Sequence, residues 1–283
     1  MSATVKRIAI SGASGFIGRH VLAALQQHDV EVVALCRDRA SLADWQARVE
    51  VLAFDHASPP EQAYALMGRP DVLLHLAWQG LPNYYALHHF EQELPRQYAF
   101  LRQLVAEGLP ALVVAGTCFE YGLQSGPLGI AHLPEPVTPY GWAKHALHQQ
   151  LHFLARHSGI SLSWARLFYM YGAGQSPHTV LSQLEAAVVR GEPCFNMSGG
   201  EQLRDYLPVA DVARQLLALA LDAGRPALCN ICSGTPISVR KLVENHLAQQ
   251  GWDIPLNLGY YPYPQHEPMA FWGIPDWFAH KNT

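Results

Sequence analysis

Two side chains that can exchange protons stand four residues apart in the segment Tyr140-Gly-Trp-Ala-Lys144. In a helix this spacing places the Tyr140 phenol and the Lys144 ammonium on one face, so the two groups can share a site. A free tyrosine has a pKa of about 10, and a nearby cation favours its ionised form. The pair is therefore a candidate proton donor and acceptor near neutral pH. The preceding Thr138-Pro139 is typical of a helix start.

A glycine-rich turn near the amino terminus is the second chemical feature. Gly12, Gly15 and Gly18 follow a strand-like run, and an amphipathic helix starts within the motif. One glycine permits the tight turn, one lets the backbone approach a pyrophosphate, and one lets helix and strand pack closely. The N–H groups at the helix start attract phosphate, so the turn predicts a dinucleotide site. Three further contacts to the dinucleotide are expected from the same turn: Ser14, Phe16 and Ile17.

The end of the second predicted strand bears on which dinucleotide binds. NAD-selective sites carry an acidic residue about 20 residues after the glycine turn. Here Cys36 occupies that position and Arg37 follows it. A guanidinium can pair with a 2′-phosphate, so the sequence favours NADP(H). NAD(H) stays possible because of Asp38. If the register at the end of this strand differs by one or two residues, the Asp38 carboxylate would lie near the ribose.

The elements that must position these groups follow from alternating periodicity. Short apolar or β-branched runs alternate with segments of helical period, which predicts parallel strands joined by crossover helices. The fold class is therefore α/β, with a Rossmann doubly wound parallel sheet in residues 1–167. The predicted strands, the last of which returns to that sheet from the later part of the chain, are Arg7–Ser11, Glu31–Leu35, Val49–Phe54, Asp71–Leu76, Leu112–Gly116, Leu162–Leu167 and Leu228–Ile231.

The rest of the chain, residues 168–283, is expected to form a smaller α/β lobe that binds substrate. Its helical stretches are Pro177–Arg190, Val209–Asp222 and Val239–Gln250. The tail from Asn257 is rich in proline and aromatic residues, so no regular structure is expected there. In the first domain, Tyr84–Glu107 is predicted to be mostly helical, with Pro95 bending the helix or marking a start within it.

The composition of the 283 residues limits the classes of function. Hydrophobic residues make up 49% and charged residues 15%, as in a compact globular enzyme. The formal charge is −4 with Lys and Arg scattered, so no nucleic acid partner is expected. No apolar run reaches bilayer-spanning length and no signal peptide is evident, so we expect no membrane contact. Five cysteines fit free thiols in a reducing compartment, which predicts a cytoplasmic location.

Two groups of potential metal ligands are interpreted as structural. Cys229 and Cys232 form a Cys-x-x-Cys, but no second pair completes a zinc site. His145, His148 and His152 stand at helical steps without a His-Glu-x-x-His pattern, so a polar helix face is expected. No metal is predicted.

Thr117, at the end of the predicted fifth strand, completes a pattern with Tyr140 and Lys144. With these residues in place, the chain resembles the extended short-chain dehydrogenase/reductase family, the group of nucleotide-sugar epimerases, dehydratases and reductases. The resemblance implies that Thr117 hydrogen-bonds the substrate oxygen and that Tyr140 exchanges the proton. It also implies that Lys144 holds the nicotinamide ribose and tunes the tyrosine.

The resemblance covers nearly the whole chain. It implies that Asp55 and His56 lie at the adenine edge and that Leu76 and Ala77, after His75, form a wall of the cofactor site. In the lobe it implies that Arg204 contacts the substrate pyrophosphate, although a salt bridge to Asp205 or Asp211 would also explain this residue. The residues expected to bind substrate are Trp78, Thr117, Tyr169, Asn196 and Arg204. For Trp78, core packing and a pocket wall remain equally open.

Departures from the family pattern narrow the reaction. Dehydratases carry an acid just after the threonine, where this chain has Cys118 and Phe119, so dehydration is disfavoured. Cys118 is expected to pack, because the family's catalytic cysteine would fall at Phe119. The family's asparagine before the fifth strand is replaced, with Glu93 as the candidate, which leaves the proton relay open.

The expected function is NAD(P)H-dependent reduction of a nucleotide-linked 4-keto-6-deoxy sugar, with Tyr140 as proton donor. An NAD-dependent nucleotide-sugar 4-epimerase is the alternative enzyme, and a non-catalytic NADP-binding redox sensor is the alternative from another class. A homodimer through the Tyr140 helix is possible, although burial within the monomer explains its leucine stripe equally well: Leu147, Leu151 and Leu154.

Overall fold

A seven-stranded parallel sheet forms the centre of the fold. The structure, a computed structural model, describes residues 6–222, 224–263, 267–275 and 277. The strands in these residues are β1 (Arg7–Ser11), β2 (Glu31–Cys36), β3 (Glu50–Ala53), β4 (Val72–His75), β5 (Ala111–Thr117), β6 (Gly126–Leu128), β7 (Ser161–Leu167), β8 (Tyr169–Tyr171), β9 (Phe195–Asn196), β10 (Leu203–Pro208), β11 (Leu228–Ile231), β12 (Pro236–Ser238), β13 (Leu256–Asn257) and β14 (Phe271–Gly273). The α-helices are α1 (Phe16–Leu25), α2 (Ala63–Leu66), α3 (Leu94–Ala106), α4 (Pro139–Ser158), α5 (Val180–Val189), α6 (Val209–Leu221) and α7 (Val239–Gln250).

The strand order in the central sheet is β11-β7-β5-β4-β1-β2-β3, and every neighbouring pair is parallel. All seven predicted strands are present in this sheet, so the predicted α/β doubly wound class is confirmed. The order reverses beside β1, where a crevice opens at the carboxyl ends of the strands. Ser11 pairs with His75 in register, so the segments that follow β1 and β4 leave the sheet side by side.

Helices cover both faces of the sheet because each strand buries both of its faces. On one face, Ile8 and Ile10 pack with α1 and α6, whose inward sides carry residues such as Val21 and Leu216. On the other face, Ala9 and its neighbours pack with α3 and α4. This arrangement places α6 against α1 in the main domain, whereas the sequence had assigned that segment to the smaller lobe.

The segment before β5 confirms that Pro95 marks a helix start within a longer helical region. A π-helical stretch, His89–Glu93, leads directly into α3, and Pro95 lies in the first turn of α3. Proline is tolerated there because the first N–H groups of a helix have no intrahelical partner. Glu93 is therefore the last residue of the π-helical stretch and directly precedes α3, and its side chain is buried.

The smaller lobe contains a three-stranded sheet, β12-β10-β8, and a core between α5 and α7. The expectation of an irregular tail was wrong in part. β14 pairs in parallel with β6, and β13, which begins in the same region, pairs with β9. Phe271 is buried, so side-chain burial and a partner strand outside the local sequence stabilise β14. None of the helices in the described ranges has the length and apolarity that a membrane crossing requires.

Candidate active site

The glycine turn lies at the bottom of the crevice and fits a dinucleotide. Gly12 has φ +72°, and a Cβ there would lie 2.8 Å from the Ala77 nitrogen. A Cβ on Gly18 would collide with the Gly12 carbonyl oxygen, so both positions require glycine. Gly15 is the N-cap of α1 and has no side chain to occupy the helix N–H groups, which leaves them for an anion.

Most of the predicted dinucleotide contacts line one cleft. The lining residues that the sequence predicted are Gly12, Ser14, Gly15, Arg37, His56, Leu76, Ala77 and Trp78. Phe16, Ile17 and Gly18 belong to the first turn of α1 and do not line this cleft. Asp55 also stands outside the cleft lining, and its carboxylate accepts the Ala57 N–H at 2.9 Å. Trp78 lines the cleft and also packs against the core on that face of the sheet, so both interpretations of this residue apply.

The acidic residue that kept NAD(H) possible has another role. The Asp38 carboxylate accepts the Ala40 N–H at 2.9 Å and caps the helical segment Arg39–Trp45. Arg37 is exposed at the cleft, and its guanidinium lies 3.4 Å from the Gln79 side-chain oxygen. The cleft thus presents a cation rather than a carboxylate beside the end of β2.

The predicted threonine and tyrosine meet at the carboxyl end of β5. Thr138 caps α4 by accepting the Gly141 N–H at 3.1 Å, and this start places Tyr140 in the first turn. The Thr117 side chain lies close enough to the Tyr140 phenol to act on its pKa. Burial raises the pKa of Tyr140 far above its ordinary value, while the neighbouring Thr117 side chain acts in the opposite direction. Tyr140 therefore holds its proton at neutral pH.

Lys144 is buried one helical turn further on. Its ammonium donates to the Ala115 carbonyl at 2.9 Å and lies 4.1 Å from the centre of the Trp78 ring. Burial lowers the pKa of Lys144 to about 7, and the carboxylates of Glu120 and Glu93 oppose that shift. The ammonium thus contacts Ala115 and Trp78, and its predicted roles in ribose binding and in tuning the phenol stay predictions.

Sequence reasoning missed the carboxylate that holds the threonine in place. Glu120 is completely buried, and it accepts the Thr117 N–H at 3.0 Å, the Trp164 indole N–H at 2.8 Å and the Arg166 Nε–H at 3.0 Å. Thr117 and Glu120 form a capping box around Cys118–Tyr121. The Thr-x-x-Glu spacing was the signal that could have revealed this role.

Glu120, His145 and His148 bring one potential ligand atom each within 4.8 Å of one another. The grouping is unsuited to a metal ion. The Glu120 oxygens already accept three N–H groups, and the Arg166 guanidinium stands beside them. Burial and the nearby cation lower the pKa of His148 to about 3, and its ring stacks on Trp164 at 4.8 Å.

In the smaller lobe, the alternative explanation of Arg204 as an ion-pair partner of Asp205 or Asp211 was wrong, because Arg204 pairs with Glu267. Arg204 donates to the Glu267 carboxylate through Nη2 at 2.8 Å and through Nε at 3.2 Å. Asp205 instead accepts backbone N–H groups from the turn after β11, and Asp211 pairs with Arg214 on α6. The partner of Arg204 is in the tail, so local sequence could not identify it.

Aromatic side chains surround Tyr140. Tyr84 stacks on Phe119 with ring centres 4.6 Å apart and lies 5.6 Å from the Tyr140 ring. Tyr84, which sequence reasoning missed, also accepts the Tyr140 backbone N–H at its carbonyl. Cys118 is buried as expected, and the charges of Glu267 and Arg204 act on its thiol. Tyr169 lies nearby, with its ring 5.9 Å from the Phe271 ring.

Asn196 is the predicted substrate contact that the fold separates most clearly from the other residues. It belongs to the two-stranded β13-β9 sheet of the lobe, and its side-chain oxygen accepts from Asn257 at 2.7 Å. Tyr169 and Arg204 lie instead on β8 and β10, which share the three-stranded sheet. The structure therefore groups two of the lobe residues and leaves the third in a different sheet.

Comparisons with known proteins agree with this geometry. A model of the NAD dependent epimerase/dehydratase family matches residues 8–232. The chain is 29% identical over 268 residues to dTDP-6-deoxy-L-talose 4-dehydrogenase (NAD(+)) from Aggregatibacter actinomycetemcomitans, covering 94% of this chain and 98% of the relative. It is 28% identical over 271 residues to dTDP-6-deoxy-L-talose 4-dehydrogenase (NAD(P)(+)) from Kitasatospora kifunensis, covering 91% and 83%.

The fold is also similar to that of UDP-glucose-4-epimerase from Stenotrophomonas maltophila, solved with bound NAD and formylated UDP-arabinopyranose. The TM-score is 0.84 at 23% identity, with 96% of this chain and 90% of the other covered. At this identity the likeness concerns the fold alone.

Proposed function

Because this chain belongs to the NAD-dependent epimerase/dehydratase family and is an NAD(P)-dependent oxidoreductase, we propose that it reduces the 4-keto group of a nucleotide-linked 6-deoxy sugar. The observation that carries the proposal is the position of Tyr140, whose phenol lies close enough to the Thr117 side chain for its pKa to be affected and whose ring lies 6.0 Å from the cleft-lining Trp78 ring. Two relatives whose names specify 4-dehydrogenases of a dTDP-linked 6-deoxy sugar support the position of the reacting carbon.

The residues that hold the dinucleotide are proposed from the cleft. The helix start at Gly15 binds the pyrophosphate, Leu76 and Ala77 form the wall, and Lys144 binds the nicotinamide ribose. Three further residues, which lie outside the cleft lining, are also proposed to contact the dinucleotide: Phe16, Ile17 and Asp55. When bound, the reduced dinucleotide supplies the hydride.

The chain itself supplies the proton and orients the substrate. Thr117 hydrogen-bonds the keto oxygen and Tyr140 gives its proton to that oxygen, which converts the ketone to an alcohol. The raised pKa of Tyr140 keeps the phenol protonated until the substrate oxygen becomes basic. The resulting phenolate accepts the hydrogen bond from Thr117 and regains a proton from solvent before the next turnover.

We propose NADP(H) as the preferred dinucleotide. Arg37 offers a guanidinium at the cleft, and the Asp38 carboxylate that would select NAD(H) is engaged in helix capping. The names of the two talose dehydrogenases specify NAD(+) in one case and NAD(P)(+) in the other. Because these names differ, the proposed preference is based on the residues of this chain.

Arg204 is proposed to bind the substrate pyrophosphate by exchanging partners. Two nitrogens of its planar fork donate to one oxygen of the Glu267 carboxylate, and a diphosphate oxygen could accept from the same two donors. Tyr169 lies on the same side, and its hydroxyl is close enough to Glu267 for the carboxylate to affect its pKa. Trp78 and Asn196 complete the proposed substrate contacts.

A homodimer is proposed through the exposed side of α4. Leu147 and Leu151 are buried inside the monomer, so they cannot form the interface that their stripe suggested. Trp142 and Phe153 are 49% and 66% exposed on the same helix and provide an apolar surface instead. Light scattering of the wild type and of a Trp142→Glu/Phe153→Glu variant tests this proposal, because a dimer through α4 becomes monomeric in the variant.

The test of the reaction is incubation with NADPH and a panel of nucleotide-linked 4-keto-6-deoxy sugars, followed by product analysis. We expect stoichiometric loss of NADPH and formation of a 4-hydroxyl sugar. Copurified, tightly bound NAD with inversion of a 4-hydroxyl and no net oxidation would establish the epimerase instead. Stoichiometric dinucleotide binding with no turnover of any nucleotide sugar would establish the redox sensor.

A further inference from the structure

A buried carboxylate stands behind the dinucleotide cleft without a cationic partner in contact. Glu93 is 1% exposed, and one of its oxygens accepts the Gln79 backbone N–H at 3.0 Å and the Gln97 side-chain N–H at 3.0 Å. Both donors are neutral, and no salt bridge to Glu93 occurs in the described part of the chain. An ionised carboxylate buried in this way is costly unless a positive charge lies close by.

Lys144 carries the opposite charge and is also buried. Its buried ammonium has a carbonyl and an indole ring as neighbours, and within the described ranges no carboxylate lies at salt-bridge distance from it. Two carboxylates act on its charge, those of Glu120 and Glu93. Glu120 is compensated by the Arg166 guanidinium at 3.0 Å, so Glu93 is the carboxylate left to balance Lys144.

The same short helical segment also fixes what lies over the ammonium. Trp78 donates its indole N–H to the His89 ring at 3.1 Å, and the next residue, Gln79, donates its backbone N–H to Glu93. His89 and Glu93 are the two ends of the π-helical stretch. Two hydrogen bonds from one segment therefore hold the Trp78 face above Lys144.

We propose that Glu93 is a positioning residue that keeps Lys144 charged and holds Trp78 over it, so that the ammonium can bind a dinucleotide ribose. The proposal rests on the proposed function only in requiring that Lys144 meets the dinucleotide. The other titratable groups that act on Lys144 are His75 and His89, and burial lowers the pKa of both histidines. They are neutral at neutral pH, so they do not balance the ammonium.

The sign of the effect follows from the charges. Burial lowers the pKa of Lys144 to about 7 with both carboxylates present, so the ammonium loses its proton within the neutral range. Removal of the Glu93 charge lowers that pKa further, because one of the two stabilising anions is lost. The Glu93→Gln variant therefore binds dinucleotide as the wild type does at acidic pH and more weakly at neutral and alkaline pH.

The experiment is a titration of NADPH binding by fluorescence across the neutral pH range, without any sugar. We expect the pH midpoint of binding to fall by about one unit in Glu93→Gln, which is about tenfold weaker binding above the midpoint. Glu93→Asp retains the charge and should keep the wild-type midpoint. In Lys144→Arg the guanidinium stays charged throughout this pH range, so NADPH binding by this variant should show no pH midpoint.

Glu107→Gln, at the residue that caps the C-terminus of α3, is the matched control. Glu107 likewise accepts a backbone N–H, from Tyr64 at 2.7 Å, and a glutamine side chain four residues away, from Gln103 at 2.8 Å. This variant should bind NADPH with the wild-type midpoint. An unchanged midpoint in Glu93→Gln, or an equal loss of affinity at every pH, overturns the proposal.

If Glu93→Gln does not fold, the comparison of wild type, Glu93→Asp and Lys144→Arg decides. A wild-type midpoint that persists in Lys144→Arg overturns the proposal. Because NADPH binding needs no sugar, a shifted midpoint together with no reduction of any 4-keto sugar contradicts the proposed function alone.

Discussion

The Thr117 side chain lies close enough to the Tyr140 phenol to act on its pKa, although one residue ends β5 and the other opens α4. A capping box holds Thr117 in place, and a helix cap at Thr138 holds the first turn of α4. Two independent local motifs therefore place a hydroxyl and a phenol at one point of the crevice, which is the arrangement that proton transfer to a substrate oxygen requires.

Replacement of Tyr140 by Phe removes the proton donor and leaves the ring that packs against Tyr84 and Trp78. We expect kcat for 4-keto reduction to fall by about 10²–10⁴. NADPH binding, measured by fluorescence, should stay within about twofold, since the cleft itself is unaltered. Near-normal turnover of this variant would refute the role of Tyr140.

Replacement of Arg37 by Ser tests the dinucleotide preference. The loss of a charge-assisted bond to the 2′-phosphate corresponds to about 1.5–3 kcal/mol, so KM for NADPH should rise by about 10–100-fold. KM for NADH should change little. Arg102→Ser, an exposed arginine on α3, is the control. Equal or better use of NADH by the wild type contradicts the preference for NADP(H).

Replacement of Glu267 by Gln frees the Arg204 fork from a charged partner. If substrate pyrophosphate exchanges with Glu267, the variant should show a KM for the nucleotide sugar several-fold lower and an unchanged kcat. Steady-state kinetics with saturating NADPH measures both. A KM that stays equal or rises would mean that Arg204 serves only to hold the tail.

Replacement of Glu120 by Ala leaves the Arg166 guanidinium buried without its carboxylate. Loss of one partner from such a pair costs about 3–5 kcal/mol, so the free energy of unfolding in urea should fall by that amount. Glu192→Ala breaks an exposed pair with Arg190 and should cost less than about 1 kcal/mol. Similar losses in the two variants would show that the Glu120 pair is not a stability determinant.

The buried His148 ring predicts a loss of stability in acid. Burial, with Arg166 next in effect, lowers the pKa of His148 from 6.5 to about 3. The unfolded chain therefore binds a proton that the folded chain does not, and stability falls as the pH drops from the unfolded pKa toward the folded one. The contribution reaches about 3 kcal/mol near pH 4.

His148→Phe, which keeps a ring for stacking on Trp164, should reduce this acid dependence. His157→Gln, an exposed histidine near the end of the same helix, should retain it. Unfolding in urea at several pH values measures both variants. Parallel acid dependence in the wild type and His148→Phe would contradict the assignment.

The central sheet was predictable because its signals are local. Each strand from β1 to β11 in that sheet is a short apolar run, and the period of the intervening helices is visible within a few turns. The glycine turn follows β1 directly, so its context is also contained in adjacent residues. Thr117 and Tyr140 could be predicted as site residues because strand ends and helix starts can be located from the same patterns.

The carboxylates of the site show where sequence reasoning stopped. Glu267 meets Arg204 across 63 positions of the chain, and Glu120 meets Arg166 across 46. Local patterns cannot rank such pairs, because every acidic residue of a chain is a formal candidate for every basic one. For this reason the alternative explanation of Arg204 named Asp205 or Asp211, whereas the structure pairs it with Glu267.

The sequence by itself determined the α/β class, the dinucleotide turn and the spacing of Tyr140 and Lys144, because backbone geometry and helical period are properties of neighbouring residues. Tertiary structure alone decided the electrostatics of the site. Burial raised the pKa of Tyr140 and lowered that of Lys144, and Asp38 was turned from the cleft to a helix cap. Those effects depend on which distant side chains exclude water from each group, and only the folded chain specifies them.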